Sequence, residues 1–154
     1  MKRLGTALAA GAIAVALTAV PAHAAQTKFF QTADKNIACV VFKGFKSKRR
    51  HGHKIKGVSG IARCDILNKS WTVPPPARKC LADYGNGLEV FNNGLGHPTC
   101  AGDSVFSPNN PVLAAGASIV QGRFTCTALA AGMRCTNTRN SHGFELTPAT
   151  YSLF

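Results

Sequence analysis

The stretch NIACVVFKGFKSKRRHGHKIKGVSGIARCDIL, residues 36–67, decides the fold. It opens and closes on two short apolar runs, Asn36–Phe42 and Gly60–Leu67, each bounded by turn-forming residues, as strands are. Opposed residues in an antiparallel pair have a constant index sum. Setting Cys39 against Cys64 therefore also sets Ile37 against Ile66 and Val41 against Ala62 on one face. The other face then holds Val40–Arg63 and Phe42–Ile61, a composition suited to a partly exposed side. This register predicts a hairpin stapled at its base by Cys39–Cys64, with His51-Gly52 at its tip. The tip is KGFKSKRRHGHKIKG, residues 43–57, which holds seven Lys/Arg and two His and no acid.

The rest of the chain reads the same way. Leu88–Phe91, Ile119–Thr127 and Met133–Thr138 are further strand candidates. Pro74-Pro75-Pro76, Tyr84-Gly85-Asn86-Gly87, Asn92-Asn93-Gly94 and Ser107-Pro108-Asn109-Asn110-Pro111 carry turn chemistry. No window sustains a 3.6-residue apolar period for three turns; a single helical turn near Thr147–Tyr151 is the most expected. Pairing Cys126 with Cys135 sets Ala128 against Met133 and Thr125 against Thr136. The turn then falls on Ala130-Ala131, with Gly132 free to take positive φ. Cys80–Cys100 is left as the third pair by elimination. No Cys-x-x-Cys or Cys-x-x-His spacing occurs, so the six cysteines read as three disulfides rather than a zinc site. The expected fold is all-β, a small disulfide-stapled antiparallel barrel or sandwich.

The N-terminus points to export. Lys2 and Arg3 precede an Ala- and Leu-rich stretch, Leu4–Val20, followed by Pro21 and the small-residue pattern Ala22-His23-Ala24. Residues 1–24 are expected to be a cleaved signal peptide, and residues 25–154 a single secreted, extracellular domain with no transmembrane segment. Eighteen Lys/Arg stand against six Asp/Glu. Losing Lys2 and Arg3 leaves sixteen basic side chains, a net charge of +10.

Several segments together resemble one family. They are Asn36-Ile37-Ala38-Cys39, Arg63-Cys64-Asp65-Ile66, Trp71 with Pro74-Pro75-Pro76, and Cys80-Leu81-Ala82-Asp83-Tyr84-Gly85-Asn86-Gly87-Leu88-Glu89-Val90. Cys100-Ala101-Gly102-Asp103-Ser104, Gly132-Met133-Arg134-Cys135-Thr136-Asn137 and His142-Gly143-Phe144 continue the pattern. The chain is similar to a family of small secreted six-cysteine actinobacterial proteins classed as a domain of unknown function. The resemblance implies no activity. Tyr84 stands where the family pattern suggests Trp, and the tip between Cys39 and Cys64 is longer and more basic than that pattern.

The candidate chemistry centres on the tip. Lys43, Lys46, Lys48, Arg49, Arg50, Lys54 and Lys56 form a surface that attracts phosphate, sulfate or carboxylate polymers, against the plainer reading of a solvated loop. The expected partner is an anionic cell-envelope or extracellular polymer. Only Phe45 interleaves the charges, so specific nucleic-acid recognition is not expected. Adjacent cations oppose a metal at His51-Gly52-His53; no metal site and no cofactor are expected. Asp103-Ser104 with His142 form a hydrolase only on paper. Asp83 and Glu89 are expected to satisfy loop amides around Gly85 and Gly87, and Trp71 to pack in the core. The function read from sequence is a secreted, non-enzymatic binding domain. An inhibitor-like protein–protein module acting on an extracellular enzyme is the alternative, and a small hydrolase a third reading.

Overall fold

Along Phe124–Leu129 every second side chain is buried, the signature of a strand with one face on a core. The same logic builds the whole domain. The computed structural model describes residues 27–154, so the expected signal segment lies outside the described residues. The described strands are β1 (Thr27–Gln31), β2 (Ile37–Phe42), β3 (Lys48–Arg50), β4 (His53–Ile55), β5 (Ile61–Ile66) and β6 (Asp83–Phe91). They continue as β7 (His97–Ala101), β8 (Ser118–Gln121), β9 (Phe124–Leu129), β10 (Gly132–Asn137), β11 (Gly143–Leu146) and β12 (Tyr151–Leu153).

Two five-stranded antiparallel sheets result, in the orders β1-β2-β5-β6-β7 and β12-β11-β10-β9-β8. Each is a meander, and the β3–β4 ribbon extends the β2–β5 hairpin. Of the two expected architectures, barrel and sandwich, the chain adopts a sandwich. One core cluster draws Ile37, Cys39, Val41, Cys64, Leu88 and Val90 from the first sheet. From the second come Phe124, Cys126, Met133, Cys135, Phe144 and Leu146. No helix forms among the described residues; near Thr147–Tyr151, where at most one helical turn was expected, Thr147 Oγ1 accepts from the Ala149 and Thr150 amides in a tight turn.

The disulfides are Cys39–Cys64, Cys80–Cys100 and Cys126–Cys135. β2 and β5 pair with Cys39 opposite Cys64 and Ile37 opposite Ile66, and β9–β10 pair with Cys126 opposite Cys135. The inter-sheet contact places Cys64 Sγ 3.7 Å from Cys135 Sγ. Neither sulfur carries a hydrogen, so the two bridges meet by van der Waals packing at the centre of the sandwich.

Three expectations need correction. Ile119–Thr127 is two strands, because Gly122 takes φ +63° and turns the chain between β8 and β9. Tyr84-Gly85-Asn86-Gly87 is not a turn but part of β6. Gly85 (φ +77°) accommodates the register shift between Tyr84 and Leu88, and Gly87 lies so close to β5 that a Cβ would sit 2.1 Å from the Cys64 carbonyl oxygen. Gly132 does not take positive φ. Its smallness serves a close approach instead, since a Cβ there would lie 2.3 Å from the Leu146 carbonyl oxygen.

From β7 the chain crosses the outer face of the first sheet before entering the second. Asp103 meets Arg63 on β5, the Val105 amide donates to Asp65 Oδ2, and Asn110 meets Gln31 on β1. Gln31 then pairs with the 111–113 segment, whose two backbone hydrogen bonds cap the C-terminal end of the outer edge of β1.

Candidate anion-binding hairpin and its surroundings

His51 (φ 50°) and Gly52 (φ 81°) both occupy the left-handed region, which makes the tip a two-residue type I′ turn. This turn matches the right-handed twist of flanking strands, and it sets Arg50 opposite His53, Arg49 opposite Lys54 and Lys48 opposite Ile55. Further down, Phe45 and Val58 exchange both backbone hydrogen bonds at 2.9 Å, and the Phe42 and Phe45 rings meet edge to face at 6.3 Å. The arm is therefore an ordered ribbon. At about 3.3 Å per residue it reaches at most roughly 30 Å beyond Phe42.

Six of the seven predicted cations, Lys46, Lys48, Arg49, Arg50, Lys54 and Lys56, are exposed along this ribbon. Lys43 differs: it is half-buried at the root, where the β8–β9 turn approaches it so closely that a Cβ on Gly122 would lie 2.7 Å from Lys43 Cβ. Arg49 and Lys54 stand directly opposite each other, a like-charge pair that weakens the ribbon slightly. Between Ser47, Lys48, Arg49 and Lys54 lies a shallow depression of about 270 Å³. The ion pairs among the described residues are Arg63–Asp65, Arg63–Asp103, His97–Glu89 and Arg134–Glu145, and none involves the arm. Its cations face solvent with no carboxylate to neutralise them. Charges this close interact within the ~8 Å screening length of physiological salt.

Other sequence-level candidates fall elsewhere. Trp71 packs against the core edge, donates from Nε1 to the Thr147 carbonyl (2.8 Å) and lies 4.7 Å from the Tyr151 ring, with Lys69 Nζ over its face. His142 sits in the β10–β11 turn of the second sheet, whereas Asp103-Ser104 lies over the first, so the structure does not bring them together. Asp83 and Glu89 do not cap the loop amides at Gly85 and Gly87. Glu89 stands opposite both Arg63 and His97 in the ladder, its Oε1 3.6 Å from His97 Nδ1. Burial pushes its carboxyl above the ordinary carboxylate value, with His97 and Arg63 offsetting part of that rise.

Sequence reasoning missed a second polar cluster, on the outer face of the first sheet. Arg63 grips Asp65 bidentately, Nε to Oδ1 and Nη2 to Oδ2, both 2.8 Å. It also donates to the Asp103 side chain (2.7 Å) and carbonyl (2.6 Å). Burial opposes the Arg63 charge, but these bonds and charges outweigh it and hold the guanidinium protonated. In return Arg63 holds the Asp103 carboxyl below its usual range. The local signal was present, since Arg63 and Asp65 alternate onto one strand face. That the face would be roofed by residues 102–113 had no local signal.

No curated protein and no solved structure matches the chain. The model of DUF6636, a family of unknown function, matches residues 9–154, and the chain belongs to that family.

Proposed function

We propose that the protein is a secreted, non-enzymatic binding domain that engages an anionic polymer of the cell envelope or surroundings through its β3–β4 arm. One observation carries the reading: six exposed cations line a paired, disulfide-rooted ribbon, with Lys43 at its root and no acid to neutralise them. A preordered arm loses little conformational entropy when it binds. Its charges attract phosphate, sulfate or carboxylate groups by releasing condensed counterions, so affinity falls with salt.

The test replaces Lys46, Lys48, Arg49, Arg50 and Lys54 together with Ser. All five are exposed, so the fold is retained and relief of the Arg49–Lys54 repulsion offsets any loss. Binding to a polyanion such as a polyphosphate, followed by titration calorimetry at several salt concentrations, weakens. The slope of log affinity against log salt flattens by about 3.5 to 4.5, since each of the five lost phosphate-type contacts removes roughly 0.7–0.9. An unchanged affinity and slope would reduce the arm to a solvated loop.

A further inference from the structure

Four of the six acids of this basic chain, Asp65, Asp83, Glu89 and Asp103, lie on the outer face of the first sheet or at its rim. Three of them, with Arg63, Asn86 and Thr99, line a cleft of about 390 Å³ between the β5–β7 surface and the crossing segment. That volume lies within the range of small-molecule sites. The charge balance inside is negative, because one guanidinium faces three carboxylates. Arg63 is also fully engaged by Asp65 and Asp103 and has no need of an anionic ligand. Asp103 is turned outward, with its side chain 80% exposed, and Asp83 is exposed and in no ion pair.

Thr99 supplies an independent sign. It is 2% exposed and lines the cleft, yet its hydroxyl has no hydrogen-bond partner. A buried hydroxyl left unpaired costs free energy, and its neighbours here leave it nothing to bond. Leu67 and Phe106 border the same cleft and continue, with Pro108, into an adjoining groove of about 250 Å³ whose walls are chiefly apolar. Lys35 also lines that groove and disfavours a second positive charge there.

We infer that this cleft is a binding site for a small organic cation with an apolar arm, an ammonium or guanidinium held at Asp83, Asp103 and Thr99 with its hydrocarbon part against Leu67 and Phe106. The Asp83 carboxylate and the unbonded Asp103 oxygen accept from the ligand, and Thr99 gains its missing partner. The site lies at the opposite end of β5 from the basic arm. It is independent of the arm's role: removing the arm's cations leaves every group in the cleft in place.

The probe is hexylammonium chloride, titrated at constant ionic strength into the isotopically labelled domain and followed by amide NMR shifts. Saturable shifts centred on Asp83, Thr99, Asp103 and Ser104, absent with hexanoate, are the expected result. Asp83→Asn, which breaks no ion pair, weakens this binding about two- to fivefold, the scale of one exposed charge pair. Thr99→Val leaves the fold intact, since it removes no existing bond, and weakens binding several-fold. Shifts that do not saturate, equal shifts with hexanoate, or full affinity in both variants overturn the assignment. So does a response of the same amides to calcium chloride with none to hexylammonium.

Discussion

Replacing Arg63 with Met separates a buried ionic anchor from a surface one. Arg63 is 8% exposed and makes four charge-assisted hydrogen bonds, two to the buried Asp65 and two to Asp103. Removing it strands the Asp65 carboxylate, which keeps only the Val105 amide as donor. Breaking one partner of a buried pair costs about 3–5 kcal/mol, a large share of the 5–15 kcal/mol typical of a whole domain. Asp103→Asn is a different perturbation. Its side chain is solvated and its amide oxygen can still accept from Arg63, so the loss is about 1 kcal/mol or less. The Arg63→Met, Asp65→Leu double variant removes the stranded charge along with its partner and recovers most of the loss, as apolar replacement of a whole buried pair does. Urea denaturation of the native chain, Arg63→Met, Asp65→Leu, Asp103→Asn and the double variant gives the values, and hydrogen exchange at the Val105 amide reports whether the crossing segment loosens. The reasoning is refuted if Arg63→Met costs under 1 kcal/mol, or if the double variant is as unstable as the sum of the singles.

Two further outcomes follow, one from the core and one from the outer face of the first sheet. Paired Ala replacement of Cys126 and Cys135 releases a short cross-linked loop (sequence separation 9) and costs about 2.5 kcal/mol in the chain-entropy model. The same change at Cys39 and Cys64 (separation 25) costs about 3.5 kcal/mol. Because the two bridges touch through Cys64 and Cys135, the four-fold variant should depart from the sum by at least 0.5 kcal/mol in thermal or urea unfolding; strict additivity would mean the sulfur contact contributes nothing. Glu89→Gln tests the pH dependence. The folded state holds this proton more tightly than the unfolded chain, so the native chain is most stable with Glu89 protonated and loses stability as pH rises above about 4.5. The Gln variant lacks that slope, so its advantage over the native chain grows with pH, and a constant difference between pH 4 and 8 would contradict it.

The parts of this fold that are legible from sequence are those in which neighbouring strands pair locally. Both sheets are meanders, so a disulfide or an apolar match between consecutive segments fixes a register that tertiary contacts do not override. Where a glycine carries a meaning other than a turn, reading fails. Gly87 looks like turn punctuation, but it is a point of backbone approach in the middle of the longest strand. Short strands such as Tyr151–Leu153 are held by pairing with β11 rather than by their own composition, and carry no periodic signal. The acidic cleft was hidden for a related reason. Arg63 and Asp103 are 40 positions apart and meet only because a structureless crossing segment runs over the sheet.

The arm is legible for a physical reason that also bears on its role. The index sum that Cys39 and Cys64 define also relates Phe45 to Val58 and Lys48 to Ile55, so one register runs from the core to the tip through two irregular stretches. Direction and twist are set at the root by the disulfide, by the paired Phe45 and Val58, and by Lys43 against the β8–β9 turn. Beyond that root the side chains bury little, and their identity is nearly free of the core's packing demands. A segment whose geometry is set from below and whose composition is unconstrained from within can concentrate like charge at small cost to the fold. Self-repulsion of exposed cations costs tenths of a kcal/mol per pair, against about 2–5 kcal/mol for truncating one buried apolar side chain. Charge of one sign is therefore tolerable on the arm, at the opposite end of β5 from the carboxylates of the cleft.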